Sequence, residues 1–431
     1  MRSSSGKRRI VLAALGSLGD VHPYIALGLG LRARGHEVVV ATGNYYRRKI
    51  EALGLGFHAL RPDFDPADRA AMTRFMDLRR GTFRVVLGAI LPALRDTYDD
   101  TLAAARGADL LVSHALPAFA ARLVAEKTGV PWASSMITPL GYFSAHDLPV
   151  LFVAPELFGP LRCLGPRFWG PVFRYGKRAT RGLARPWYRL RAELGLPPAP
   201  DLNPLGGCPS PALDLALFSR VLAAPQPDWP PQTVQTGFPF YDRDADAGLP
   251  PPLERFLDAG PPPVVFTLGH SAAMVAGRFF QESVSAAKRL GRRAVLILGK
   301  GTGNAPPPLP AGTAAFDYAP FSELFPRAAA VVHPGGIGTT GLAMRSGRPA
   351  LVVPFAHDQP DNAARAARLG IARTLPPHRY RAYRVAAELR RLLDDAAYGR
   401  RAAEVGEQVR GEDGVAAACD ALEGLLLKPP S

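Results

Sequence analysis

The densest group of residues that could do chemistry lies around residues 331–370. A short apolar run, Ala329–Val332, is followed by His333, a turn with three glycines and a helical stretch that ends near Ser346. This order predicts a buried strand, a tight turn and a helix N-terminus. Helix N-termini expose unpaired N–H groups and the positive end of the helix dipole, so they bind phosphate. The candidate phosphate-binding residues are His333, Gly335, Gly336, Gly338, Thr339 and Thr340, although the threonine hydroxyls could instead cap the helix.

A second polar group follows about twenty residues later, where Asp358 and Gln359 come after another buried strand, Ala350–Pro354. If a diphosphate lies on the glycine turn, these two side chains can bind hydroxyl groups at the far end of the ligand. Phosphate at one end and a polyol at the other predict a nucleotide sugar. The glycines alone match neither the dinucleotide-binding fingerprint nor the P-loop, and a tight strand-to-helix turn would also explain them.

A histidine followed by GGIGTT and then, after a strand, by AHDQPDN is much more specific than the glycines. This segment resembles the donor-binding signature of family 1 glycosyltransferases, the UDP-glycosyltransferase superfamily. It is most similar to the bacterial branch that includes macrolide, glycopeptide and sterol glycosyltransferases. The resemblance extends to residues 263–373 and to an N-terminal segment that reads GSLGDVHPYIALGLGLRARGHEV.

The resemblance implies inverting transfer of a sugar from a UDP- or dTDP-sugar to a hydroxyl of a small hydrophobic acceptor. The acceptor could be a natural product, a sterol, a carotenoid or a glycolipid. No metal and no cofactor are expected. Two alternatives stay open: a catalytically inactive protein of the same fold that binds a nucleotide sugar or assists a partner, and a nucleotide-sugar epimerase. The first loop and the Asp358-Gln359 pair favour a transferase over an epimerase.

The resemblance also implies a catalytic base. Asp20 stands where many relatives carry a histidine base, as it does in members whose first loop also reads G-D-V. Aspartate before an amphipathic helix is also a common N-cap, and His22 is a rival base. His114, at the end of the predicted strand DLLVSH, is expected to pair with Asp20, although a histidine at a strand end is often structural.

Further donor contacts are expected in three loops. Tyr318, in the sequence DYAPF, aligns with the aromatic residue that stacks on the nucleotide base in relatives, although it could equally be a core tyrosine. His270 replaces a common serine and could donate to phosphate, with Ser271 and Ser17 as neighbouring candidates. Leu342 stands where relatives often carry a Glu or Gln that binds the ribose. The changes at His270 and Leu342 put the donor nucleotide and tight binding in doubt.

The alternation of apolar and amphipathic segments predicts an α/β protein. Buried strands alternate with helical crossovers from Arg9–Leu15 to Leu213–Phe218, and the pattern restarts at Val264–Leu268. With the resemblance, the expected fold class is GT-B, with two doubly wound Rossmann-like domains facing a central cleft. The predicted parts are an acceptor-binding domain (1–240), a linker (241–262), a nucleotide-sugar-binding domain (263–412) and a C-terminal helix and tail (413–431).

Composition narrows the class of protein. The 431 residues include 47% apolar ones, enough for two globular domains. The net charge of +15 comes mostly from arginine, and could reflect an anionic partner or only a GC-rich genome. No nucleic-acid-binding motif is present, so nucleic acid is not an expected partner. The three cysteines are far apart, which indicates neither a disulfide framework nor a zinc site and fits the cytoplasm. The first apolar run ends in Gly19-Asp20 and an amphipathic helix follows directly, so a first β-α unit is expected rather than a signal peptide.

One segment, Leu140–Leu196, breaks the alternation because aromatic residues are interleaved with arginines. Two interpretations compete. The segment could be an acceptor-pocket insertion with core aromatics and solvated arginines. Alternatively, its apolar anchors and basic face could form a peripheral membrane contact at the inner face of the membrane, which would suit a lipid acceptor.

Overall fold

Two parallel β-sheets form the framework of the protein. The computed structural model describes residues 6–65, 68–116, 118–151, 161–242 and 248–427. The first sheet has the strand order β3-β2-β1-β4-β5-β6-β7, and its strands are Arg9–Ala13 (β1), Glu37–Thr42 (β2), Gly56–Ala59 (β3), Leu110–His114 (β4), Trp132–Met136 (β5), Asp214–Ala216 (β6) and Thr233–Gln235 (β7). The second sheet has the order β10-β9-β8-β11-β12-β13, with Val264–Thr267 (β8), Ala294–Ile297 (β9), Thr313–Phe316 (β10), Ala330–His333 (β11), Ala350–Val352 (β12) and Ala372–Thr374 (β13).

Helices connect the strands and bury the apolar faces of the sheets, as parallel sheets require. The described α-helices are Leu18–Ala33 (α1), Arg47–Ala52 (α2), Arg69–Phe75 (α3), Gly81–Val85 (α4), Leu94–Ala104 (α5), Ala118–Thr128 (α6), Gly165–Thr180 (α7), Arg185–Glu193 (α8), Pro251–Asp258 (α9), Phe279–Leu290 (α10), Phe321–Leu324 (α11), Ile337–Ser346 (α12), Gln359–Arg368 (α13), Ala382–Asp394 (α14), Ala396–Arg410 (α15) and Gly414–Leu426 (α16). The expected GT-B class, with two doubly wound α/β domains, is confirmed.

The C-terminal helix α16 crosses back to the first half of the chain. Arg34, just after α1, forms ion pairs with Asp420 and Glu423 of α16. A Cβ atom on Gly30 would lie 2.6 Å from a methyl group of Val415, so the close approach of the two helices requires glycine there. This contact joins the two ends of the chain.

The C-terminal helix α16 is separate from α15, because the chain leaves α15 at Gly411 and Asp413 caps the next helix by accepting from the Ala416 N–H. The structure differs from the sequence-based expectation in two places. The predicted linker, 241–262, contains the helix α9. Strands β7 and β13 were not predicted, because runs of three residues carry little periodic signal. Residues 243–247 of the linker and the tail from 428 onward lie outside the described residues.

Candidate functional site

A cavity of about 820 Å³ lies between the two sheets at the carboxyl ends of their strands. The first half contributes the loop after β1, the end of β4 and the stretch after β5, and the second half contributes the loops after β8, β11 and β12. Most of the lining side chains are apolar, and the polar ones come from both halves. This is the position at which doubly wound sheets bind ligands.

Asp20 is held in the cavity wall by the start of α1. Its Oδ2 atom accepts hydrogen bonds from the backbone N–H of Ser17 at 2.7 Å and from the Ser17 hydroxyl at 2.9 Å. A Cβ atom on Gly16, where φ is +133°, would lie 2.3 Å from that oxygen, so glycine is needed beside it. Ser17 is therefore the N-cap, and Asp20 completes a capping box from within the helix.

The other oxygen of Asp20 faces the predicted partner. Oδ1 lies 4.0 Å from Nε2 of His114, the last residue of β4. This distance is longer than a hydrogen bond, so the two side chains are neighbours rather than bonded partners. Burial lowers the pKa of His114, although the charge of Asp20 and the carbonyl of Leu15 act in the opposite direction. The expected pair is thus brought together as a carboxylate beside a neutral imidazole.

His22 takes a different position from Asp20. Its Nε2 lies 3.0 Å from the Lys49 ammonium nitrogen, and its ring centroid lies 4.9 Å from that of Tyr241. His22 is not among the residues that line the cavity. Asp20 is therefore the candidate base that faces a ligand.

The glycine turn after β11 lines the cavity on the side of the second sheet. Gly336 is the N-cap of α12, and Gly335 has φ of +91°. The residues that line the cavity here are Pro334, Gly336, Ile337, Gly338 and Thr339.

Three predicted phosphate ligands, His333, Gly335 and Thr340, are not among the residues that line the cavity. His333 is 1% exposed, and its Nδ1 accepts from the Gly335 N–H at 3.1 Å. Burial lowers the pKa of His333 to about 4, so the ring is neutral and its proton is on Nε2. The N–H of Thr340 donates to the Gly336 carbonyl, as in an ordinary helical turn. The lining N–H groups are better placed for phosphate than either side chain.

Asp358 and Gln359 line the cavity at the start of α13. Asp358 Oδ2 accepts from the amide of Asn362 at 2.7 Å. Burial raises the pKa of Asp358 to about 7, and the charge of Asp20 acts in the same direction. Gln359 Oε1 accepts from the N–H groups of Phe355 and Ala356, so its NH₂ group is the part that can meet a hydroxyl.

Some of the remaining residues considered as donor contacts line the cavity, and others lie outside it. His270 and Ser271 line the cavity, and burial lowers the pKa of His270. Its buried Nε2 has no hydrogen-bond partner in the described part of the chain, which leaves a polar atom for a ligand oxygen. Tyr318 is 45% exposed and does not line the cavity. Leu342 packs into an apolar cluster with Leu253 and Leu257, so its side chain does not face a ribose site.

Sequence reasoning missed three residues of the site. His357 lines the cavity with φ of +58°, in a loop where only the next two residues were predicted to act. Asp214, at the start of β6, is buried and accepts from the hydroxyls of Ser134 and Tyr142 at 2.5 and 2.7 Å. Burial raises its pKa. Asp228 also lines the cavity. No sequence signal distinguished these aspartates from surface residues.

Segment Leu140–Leu196 only partly matches the insertion interpretation. Trp169 and Trp187 are buried, whereas Phe168 and Tyr175 are 48% and 75% exposed. Phe152 and Phe158 lie outside the described residues. In the described ranges, no helix has the length and apolar character needed to cross a membrane. The same ranges contain no group of three or more His, Cys, Asp or Glu side chains that could hold a metal ion.

Comparisons with known proteins add independent information. Residues 10–140 match the model of the glycosyltransferase family 28 N-terminal domain, and residues 282–421 match the model of the erythromycin biosynthesis protein CIII-like C-terminal domain. The chain is 36% identical to the O-mycaminosyltylonolide 6-deoxyallosyltransferase of Streptomyces fradiae, over 96% of this chain and 97% of that protein. It is 33% identical to glycosyltransferase GtfE of Amycolatopsis orientalis, over 84% and 85%.

Solved structures agree on the fold. Spinosyn forosaminyltransferase SpnP superposes with a TM-score of 0.70 at 18% identity, over 98% of this chain and 100% of that one. The resemblance seen in the sequence is confirmed by relatives that match most of the length of this chain. The protein belongs to the family 1 glycosyltransferases, the UDP-glycosyltransferase superfamily, and is a glycosyltransferase of the branch that includes macrolide, glycopeptide and sterol glycosyltransferases.

Proposed function

We propose that this enzyme moves a sugar from a UDP- or dTDP-sugar to a hydroxyl of a small hydrophobic acceptor, with inversion and without a metal ion. The observation that supports this most strongly is that one cavity is lined by Asp20 from the first half and by Asp358 and Gln359 from the second. A base and a group that can bind sugar hydroxyls therefore share one space. Holding both reactants in a single site is the main requirement for group transfer.

In the proposed chemistry, a residue of the first half activates the acceptor and a helix of the second half stabilises the leaving group. Asp20 takes the proton of the acceptor hydroxyl as its oxygen attacks the anomeric carbon. The bond between that carbon and the diphosphate oxygen breaks on the opposite face, so the configuration inverts. The N-terminus of α12 stabilises the negative charge that develops on the departing diphosphate. Neutral His114 keeps the space beside Asp20 free of a competing positive charge.

The acceptor is proposed from the cavity walls and from the relatives. Apolar side chains such as Phe75, Val85, Leu116 and Phe119 line the first-half side of the cavity. The relatives are named for action on a mycaminosyltylonolide, on the vancomycin aglycone and on sterols. A hydrophobic natural product or sterol is therefore the favoured acceptor class, and a carotenoid or glycolipid is a less direct analogy.

The alternative is an inactive nucleotide-sugar-binding protein or auxiliary partner. The observation behind it is that Leu342 lies in an apolar cluster, so the polar ribose contact of many relatives has no counterpart at that position. Asp20, Asp358 and Gln359 all line the cavity, which favours the active enzyme.

The first experiment measures donor binding and donor hydrolysis. The purified protein is incubated with a panel of UDP- and dTDP-sugars, without acceptor, with and without EDTA. We expect one donor to raise the melting temperature and to be hydrolysed slowly to its nucleoside diphosphate in either condition. Binding without hydrolysis or transfer would favour the inactive protein, release abolished by EDTA would contradict metal independence, and no binding to any donor would contradict the proposal.

We also propose that the protein is cytoplasmic and contacts the inner face of the membrane through α7. Only Trp169 of this helix is buried, and Phe168, Val172 and Tyr175 form an exposed stripe at helical spacing. Between Glu156 and Glu193 the sequence has nine Lys or Arg and no acidic residue. An apolar stripe with basic flanks is the pattern of a helix that lies on an anionic bilayer.

Vesicle sedimentation tests the membrane contact. We expect the protein to sediment with phosphatidylglycerol-containing vesicles at low salt but not with pure phosphatidylcholine vesicles. Replacing Phe168 and Tyr175 with serine should abolish sedimentation. Tyr383→Ser, at a 56% exposed tyrosine on α14, is the matched control and should sediment like the wild type. Sedimentation that is absent, or equally lost in the control, would remove this role from α7.

A further inference from the structure

One segment of the first half reaches across the cleft to the second half. This cleft-crossing segment comprises residues 68–85 and contains helices α3 and α4. Arg69 Nε donates to the Met274 carbonyl at 3.1 Å, and Met76 packs in the apolar core of the second half. Phe75 and Val85 line the cavity on the acceptor side. The cleft-crossing segment is thus both a wall of the cavity and a contact between the halves.

His357 faces this segment from the opposite loop. Its backbone has φ of +58°, one of two positive values at non-glycine residues in the described part of the chain. Such a conformation is unfavourable for most side chains, and it persists where surrounding contacts fix it. His357 immediately precedes Asp358 and Gln359, the two candidate sugar contacts. The loop that presents the donor residues therefore has a strained backbone at its first cavity-lining position.

A side-chain contact joins this loop to the cleft-crossing segment. His357 Nδ1 and Thr82 Oγ1 are hydrogen-bonded at 3.0 Å, between residues 275 positions apart. The ring also lies beside Gly81, where a Cβ atom would be 3.4 Å from His357 Cε1 and only 2.0 Å from the Phe75 carbonyl oxygen. Glycine at position 81 allows the backbone of the cleft-crossing segment to pack this closely.

We infer that His357 is a positioning residue that couples the donor-side loop to the acceptor-side wall. Its ring holds the cleft-crossing segment through Thr82, and its backbone sets the start of the loop that carries Asp358 and Gln359. The cleft-crossing segment is then held against the second half only when the loop that carries Asp358 and Gln359 has the conformation seen here. The donor and acceptor labels rest on the proposed function, whereas the coupling itself rests on the contact between the two halves.

Three variants separate the ring from the backbone. His357→Gly removes the ring, and with it the contacts to Thr82 and to the Phe75 carbonyl, while glycine still permits the positive φ. Thr82→Val removes the same hydrogen bond from the other side with little change in volume. Thr82→Ser keeps the hydroxyl group and is the matched control.

Hydrogen exchange of the protein without ligands is the primary measurement. We expect His357→Gly and Thr82→Val to speed amide exchange in residues 69–85 by about threefold to tenfold, the scale of one lost hydrogen bond. Thr82→Ser and peptides from the first sheet should match the wild type. The double variant should exchange no faster than His357→Gly, because removing the ring already removes the contact with Thr82. Unchanged exchange, or an equal increase over the whole chain, would overturn the inference.

A second measurement uses the donor identified by the hydrolysis experiment. His357→Gly should bind free UDP or dTDP as the wild type does, and should divert more of the donor to water because the acceptor wall is open. A parallel loss of nucleoside diphosphate binding would overturn the coupling role. If no donor is bound by the wild type either, the proposed function fails while the exchange result still decides whether His357 holds the cleft-crossing segment.

Discussion

At the scale of single residues, the two oxygens of Asp20 have different environments. Oδ2 is fixed by the N–H and hydroxyl groups of Ser17, while Oδ1 faces His114. The N-cap interpretation and the catalytic interpretation of this residue are therefore compatible. A carboxylate that is oriented by one oxygen can present the other to a substrate without losing side-chain entropy during the reaction.

Replacing Asp20 with asparagine separates the two roles. An asparagine oxygen can still accept from the Ser17 N–H, so the melting temperature should change little. Turnover should fall by about a hundredfold or more, because the amide cannot take a proton. Asp395→Asn is the control, since Asp395 also accepts from a backbone N–H, that of Ala397, and neither residue lines the cavity. Unchanged turnover in Asp20→Asn, or an equal fall in the control, would remove Asp20 from catalysis.

Asp358 should make stability depend on pH. Its pKa is raised from 3.8 to about 7 by burial, so the folded protein binds this proton more tightly than the unfolded chain does. The free energy of unfolding therefore decreases as pH rises from about 4 to about 7. Asp358→Asn removes this dependence. We expect the variant to gain melting temperature relative to the wild type at pH 8 but not at pH 4; an equal difference at both values would contradict the shifted pKa.

At the scale of elements, the turn between β11 and α12 is the feature that the site depends on most. Gly335 has φ of +91°, and a Cβ atom there would lie 2.7 Å from a methyl group of Val352 and 3.2 Å from the Gln359 carbonyl oxygen. This glycine therefore permits both the turn and its contact with the start of α13. The residues proposed to bind phosphate and those proposed to bind the sugar meet at this position.

Gly335→Ala should consequently be destabilising and should weaken donor binding. We expect a loss of about 1–3 kcal/mol in the free energy of unfolding, from the positive φ and from the contact with Val352. Gly424→Ala is the control, because Gly424 lies within α16 with open space around its Cα, and alanine favours a helix. Denaturant unfolding of both variants tests this, and equal stability of Gly335→Ala and the wild type would contradict the argument.

At the scale of the whole molecule, a buried ion network joins the two halves. Arg365 of α13 pairs with Asp361 on the same helix and with Asp147 of the first half, and the Arg365 and Asp361 side chains are 1% and 0% exposed. Asp361 also accepts from the Val150 N–H at 2.9 Å. The helix that begins with Gln359 is thereby anchored to the first half of the chain. Burial makes these pairs sensitive to the loss of one partner.

Asp147→Ala should loosen the two halves from each other. The substitution leaves the buried Arg365 with one carboxylate partner fewer. We therefore expect the free energy of unfolding to fall by about 3 kcal/mol and the calorimetric transition to separate into two. Glu404→Ala breaks an exposed pair with Arg401 and should change stability by less than about 1 kcal/mol. A single, unshifted transition for Asp147→Ala would show that the network does not hold the halves together.

The sequence by itself determined the features that depend on local pattern. Apolar runs between helical segments predicted the parallel sheets, and glycines and polar residues after strands predicted which loops carry the site. These signals are local because backbone geometry and side-chain period act over a few residues. The same reasoning placed Asp358 and Gln359, and the family resemblance added Asp20 and His270; all four line the cavity.

Only the tertiary structure decided which side chains face the ligand and which support them. His333 lies behind the glycine turn, Tyr318 lies outside the cavity lining and Thr340 is buried, although all three have the expected places in the motifs. Contacts such as His357 with Thr82 join residues far apart in the chain. Burial and long-range contact depend on how distant elements pack, and no local pattern records that packing.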